Sequence, residues 1–235
     1  MKDAVATRLP SWFKFLLYWI AIQAVLGDRT VSGWFEPHVP GVWWRLLFAR
    51  GLTLLGLLVV STQTLKSDGL SLTELLRTSR DWRNGLLWGL PAGVLFALVT
   101  NGKVAVLQAM TGPISYNAAL TADFRQLGEG ALAKIGFAIS VVLWAPITEG
   151  LVFRAYAYAS MEKVWGGGAR KLAGYVCLSS VGFALIHGVG HPLYYVGYFV
   201  SGVLYSLLYL RTRSLLACVA AHGTLNALLA IVNAL

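Results

Sequence analysis

The chain has 235 residues, 57% of them hydrophobic and 12% charged, with a formal net charge of +9, whereas soluble domains run at roughly 45–50% apolar and about 25% charged. That balance excludes an ordinary soluble domain and predicts an all-α, polytopic transmembrane helical bundle forming one domain over residues 1–235. The basic charge does not point to nucleic acid, because Lys and Arg fall mainly between apolar runs, as the positive-inside pattern requires.

In chain order, Lys2, Arg8 and Lys14 precede a short apolar run in the manner of a signal peptide. Many spans follow and no small-x-small cleavage site closes the run, so it is expected to stay as the first helix. About seven spans are predicted, with six to eight as the range: Ser11–Leu26, Trp43–Leu65, Gly85–Leu107, Leu132–Ser160, Leu172–Gly188, Leu193–Leu210 and Ser214–Leu235. A cytoplasmic N-terminus places 12 of the 19 Lys and Arg inside and 6 outside, with Arg154 in the membrane, which favours that orientation. Leu70–Trp82, with leucines at helical spacing beside Glu74, Arg77 and Arg80, suits a short helix on the inner surface. The outer connector Thr111–Gly130 opens on a Gly112-Pro113 turn and reads as a lid or a plain loop. Cys177 and Cys218 lack metal or disulfide spacing and read as small buried hydrophobes.

Three polar islands interrupt the last spans. In APITEGLVFRAY, Glu149 and Arg154 stand at bilayer depth, where ionisable groups are expensive and mark function by default. Five residues apart, they lie about 140° around an α-helix, so a pair between them would be oblique. Glu149 reads either as half of an ion pair pinning helices or as a general base poised by burial and a nearby cation. His187 follows Phe183 by four residues, hence on the same helix face, ahead of Gly188 and Gly190. It reads as a helix-to-helix hydrogen bonder or as a site histidine. A zinc pair with His191 is weakly supported, since Gly188 stands where HExxH needs its Glu; His191, before Pro192, is expected to mark a turn. His222 and Asn226, also four apart, point the same way and can both donate to one oxygen, as an oxyanion hole requires, or simply join helices. At about 1.5 Å per residue, Glu149, His187 and His222 lie roughly 17, 23 and 12 Å from the inner face, which allows one mid-membrane site.

Taken together, Glu149-x4-Arg154, Phe183-x3-His187 and His222-x3-Asn226 resemble the CPBP (ABI) family of intramembrane proteases, which includes the CAAX prenyl endopeptidases, and the resemblance covers about 85–235. It implies a glutamate-dependent intramembrane endopeptidase acting on a membrane-associated or lipidated peptide or protein, with no metal cofactor. Glu149 and His187 would activate water, His222 and Asn226 would form the oxyanion hole, and Arg154 and Phe183 would support them. It also implies an integral, multi-pass protein, with a bacterial inner membrane fitting the length and family branch. Two alternatives stand beside it: a zinc metalloprotease using Glu149, His187 and His222, and a non-catalytic membrane scaffold. The latter is invited by Gly150, which occupies the position of the family's second glutamate.

Overall fold

The computed structural model describes residues 10–26, 55–56, 59–71, 73, 75, 82–111, 135–136, 138–166, 168–187 and 192–234. All regular structure among them is helical. We label the α-helices α1 (Ser11–Leu26), α2 (Trp82–Thr111), α3 (Ala145–Gly150), α4 (Ala157–Trp165), α5 (Ala169–His187), α6 (Pro192–Thr212) and α7 (Leu215–Ala234). Two π-helical segments, π1 (Ser140–Trp144) and π2 (Leu151–Tyr156), flank α3, so that 140–165 is one rod of alternating pitch. Of the predicted spans, the first coincides with α1, the third lies within α2, and the last three match α5, α6 and α7 to within a few residues. The fourth appears as the π–α–π–α rod. For the second, residues 59–67 are helical and most of the rest lies outside the described residues, as do most of 70–82, the 112–130 connector and His191.

Among the described helices, Trp82–Lys103 is long and apolar enough to cross a membrane, and Lys171–His187 and Leu215–Ile231 are shorter apolar helices. Serines, histidines and basic ends dilute the other runs. Large apolar side chains face outward along several helices, including Leu17, Leu87, Leu98 and Leu185, a distribution that suits a hydrocarbon solvent. Cys218 is buried as expected, whereas Cys177 is exposed. The reason is periodicity: Cys177 shares with Val181 and Leu185 the outward stripe of α5.

Helix contacts are made by small residues. Gly85, Gly89 and Gly93 repeat every fourth residue along α2, and α7 lies against them. A Cβ at Gly89 would stand 2.7 Å from the Ala217 carbonyl oxygen, and one at Gly93 would stand 2.6 Å from that of Ala221. Only glycine admits backbones that close, which is the small-xxx-small logic of membrane helices. Across α7, a Cβ at Gly223 would fall 2.6 Å from the Val142 carbonyl oxygen of π1. The helix is therefore clamped between α2 and the rod.

Polar bonds complete the frame. Asp68 Oδ2 accepts the Ser11 backbone N–H (3.1 Å), the Ser11 hydroxyl (2.5 Å) and the Ser160 hydroxyl (2.6 Å), placing a carboxylate at the positive end of α1. With its own proton committed to Asp68, Ser11 Oγ accepts the Tyr156 hydroxyl at 2.8 Å. Each π segment also gives a carbonyl to another helix: Trp12 Nε1–H of α1 donates to Val152 O at 3.1 Å, and Asn226 Nδ2–H of α7 donates to Val141 O at 2.8 Å. These bonds fix the rod on both sides of α3.

Candidate active site

Glu149 occupies the short α-helical stretch between the two wide turns. π-helical bulges recur at functional sites because they re-aim side chains without ending the helix. Here they turn Glu149 toward the C-terminal end of α5 and the middle of α7. Its Oε2 lies 3.5 Å from His187 Nε2 and 3.8 Å from His222 Nδ1, with the three side chains 12%, 22% and 11% exposed. The three islands thus meet at one carboxylate oxygen, largely screened from solvent.

The tautomer of His187 follows from its partners. Its Nδ1 is 2.8 Å from the Phe183 carbonyl oxygen, and a carbonyl can only accept, so Nδ1 carries the hydrogen. In the neutral ring, Nε2 is then a lone pair turned toward Glu149. Two acceptors at 3.5 Å cannot bond each other; they suit a donor that serves both. The FxxxH spacing explains this geometry, since residue i supplies the carbonyl one turn before the imidazole and its ring packs against it, with centroids 4.4 Å apart.

His222 is seated between Tyr205, at 5.0 Å, and Phe183, at 6.2 Å between ring centroids. Asn226, one turn further on α7, spends one amide hydrogen on Val141 O. The helix-joining reading of this residue is thus real, and its amide retains a second hydrogen.

Arg154 departs most from the sequence reading. It is buried, with Nη1 donating to Phe153 O at 3.1 Å. Its guanidinium carbon lies 5.0 Å from the Phe183 ring centroid, 5.5 Å from that of Tyr205 and 6.0 Å from that of Phe153. The oblique pair with Glu149 expected of a regular α-helix is not among its described contacts. π2 changes the phase between the two residues, and the guanidinium is held by aromatic faces instead. Arg154 therefore braces Phe183, the residue that carries His187.

Gly150 packs against α7. A Cβ there would meet Leu215 Cδ1 at 3.1 Å and Val219 Cγ2 at 3.3 Å, so apolar side chains fill the space that a second carboxylate would need. Gly150→Ala should fold and keep activity, because tips of flexible side chains can yield by a few tenths of an ångström. Gly150→Glu should destabilise by about 1–3 kcal/mol through overpacking. Thermal unfolding of both variants checks this, and a Gly150→Glu protein as stable as the parent would contradict it.

Sequence reasoning missed two tyrosines. Tyr198 stacks on His187 with centroids 4.5 Å apart, and Tyr205 lies against His222. They are seven residues apart, two turns along one face of α6, a spacing visible in the sequence but indistinguishable there from ordinary core. Among the described residues, no group of three or more His, Cys, Asp and Glu is arranged to hold a metal ion.

Residues 131–228 match the Rce1-like family, described as type II CAAX prenyl endopeptidase Rce1-like, and the match contains Glu149, Arg154, Phe183, His187, His222 and Asn226. Members of that family are integral membrane proteins. No curated protein and no solved structure matches the chain.

Proposed function

Since the chain carries the Rce1-like domain of the type II CAAX prenyl endopeptidases at residues 131–228, we propose that it is an intramembrane endopeptidase that hydrolyses a membrane-associated or lipidated peptide with Glu149 as general base. The observation that carries this is the lone pair of His187 Nε2 facing Glu149 Oε2 at 3.5 Å, with Nδ1–H committed to Phe183. A water donates one hydrogen to each acceptor, which turns its oxygen lone pair toward the scissile carbonyl. As that oxygen bonds to the carbonyl carbon, its proton passes to Glu149. The oxyanion takes a hydrogen bond from the second amide hydrogen of Asn226 and another from the His222 ring. Collapse of the tetrahedral species breaks the C–N bond, and Glu149 returns the proton to the leaving amine.

The setting is a multi-pass membrane bundle with a cytoplasmic N-terminus, supported by the outward apolar faces, the glycine-packed helices and the distribution of Lys and Arg. The test is hydrolysis of an S-farnesyl CAAX peptide by protein reconstituted in bilayers, read by mass spectrometry. Expected are a single cut, a loss of about 10²-fold or more in His187→Ala, and activity that survives a zinc chelator. Full activity in His187→Ala, or loss on chelation that zinc restores, would overturn the mechanism.

A further inference from the structure

We propose that the seam between α2 and α6 is a binding site for an anionic phospholipid, with the phosphate on Arg211 and an acyl chain in the groove that runs from it. The two helices are antiparallel. Arg211 meets Trp88 with its guanidinium carbon 5.2 Å from the ring centroid, Phe96 and Tyr205 meet at 5.1 Å between centroids, and Lys103 Nζ donates to Gly197 O at 2.8 Å. Along the first part of that seam lies a groove of about 550 Å³ in which Arg211 is the one charged residue and the other walls are apolar, among them Leu95, Leu204 and Leu207. A second groove of about 480 Å³ shares Leu87 and Pro91 with it and includes Arg83, whose guanidinium carbon lies 5.4 Å from the Trp82 ring centroid. Neither groove is lined by Glu149, His187, His222 or Asn226, and the α2 wall lies outside the residues that match the family.

Length and charge select the occupant. Residues 87–96 of α2 rise roughly 14 Å at about 1.5 Å per residue, the depth of one leaflet in a hydrocarbon core about 30 Å thick. Arg211 stands exposed in the last turn of α6, and among the described residues no carboxylate lies within ion-pair distance of it. Held over Trp88, the guanidinium keeps its in-plane N–H groups for an acceptor, and that planar fork matches phosphate oxygens. On the proposed orientation Arg83, Arg211 and Arg213 lie on the cytoplasmic side, whose leaflet carries anionic lipid. A phosphodiester with no choline to offset its charge complements this end of the seam. The two apolar grooves that share Leu87 and Pro91 give each chain of a diacyl lipid a seat.

The experiment strips the full chain of lipid in detergent, reconstitutes it in nanodiscs of phosphatidylcholine doped with phosphatidylglycerol, and reads the retained lipid by native mass spectrometry. Phosphatidylglycerol is expected to be retained about 10-fold above its share of the bilayer, the low end of the range for hydrogen bonds to a charged group. Arg211→Gln should return retention to the bulk ratio. Leu207→Trp, which narrows the groove and leaves the cation, should also release the lipid; Leu207 and Arg211 are both exposed, so both variants should fold. Arg213→Gln should keep the preference, because Arg213 stands over the Tyr158 ring at 4.1 Å and does not line the groove. Retention at the bulk ratio by the parent, a preference that survives Arg211→Gln or Leu207→Trp, an equal loss in Arg213→Gln, or displacement of the lipid by glycerol phosphate or by an S-farnesyl peptide would each overturn the assignment. No turnover enters the readout, so the protease reading can fail while the lipid site stands.

Discussion

Glu149→Gln is expected to lower the rate of peptide cleavage by about 10²- to 10⁴-fold while leaving the folded protein and its thermal unfolding unchanged. The amide is nearly isosteric with the carboxylate, so the corner formed with His187 and His222 keeps its shape. It has lost the capacity to take a proton. Because the loss falls on a step made only in the transition state, kcat should drop with little change in KM. Single-turnover cleavage in bilayers checks this, and a variant within a few-fold of the parent would remove Glu149 from the chemistry. His187→Ala should lose less than Glu149→Gln, since the carboxylate alone can still hold the water.

Gly223→Val is expected to be the most damaging single change in the frame. The added carbon would fall 2.6 Å from a backbone oxygen, that of Val142, and backbone cannot rotate away as a side-chain tip does. Relief requires α7 to move off π1, which breaks the Asn226 bond to Val141 and draws His222 away from Glu149. A cost of about 1–3 kcal/mol or more and loss of cleavage should appear together. Gly102→Val serves as the control: no heavy atom lies within 4 Å of a Cβ at Gly102, so that variant should unfold at the parent temperature. Equal stability of the two variants would show that the contact between α7 and π1 does not hold the site.

Much of the site was legible in the sequence because polar residues in apolar runs are rare and their spacing fixes a helix face. Glu149 and Arg154 stand out on cost alone, His187 and His222 take a site role only through the resemblance of the three motifs together, and the depth estimate allows Glu149 and the two histidines to meet. Their convergence on one oxygen depends on π1 and π2, which leave no trace in hydropathy because an inserted residue shifts phase without changing composition. The same distortion explains why Arg154 is held by Phe153, Phe183 and Tyr205 when its spacing suggested an oblique pair with Glu149. The repeat Gly85, Gly89, Gly93 is a sequence signal of close helix approach, since four-residue spacing puts all three on one face of α2. The Asp68 anchor of α1 was not readable at all, since it joins residues from three distant parts of the chain. Gly150, where the resemblance leads to a second glutamate, has a physical account in packing: Leu215 and Val219 of α7 occupy the room a side chain there would need.

The most direct measurement of the central claim, that the three islands form one hydrolytic site, needs no knowledge of the substrate. Membranes from cells lacking the protein are supplied with either the parent chain or Glu149→Gln at equal abundance, and the peptide termini of their proteins are compared by mass spectrometry. A set of new termini present with the parent and absent with Glu149→Gln is expected. The same termini in both would contradict it, and would leave the bundle as a scaffold rather than a protease.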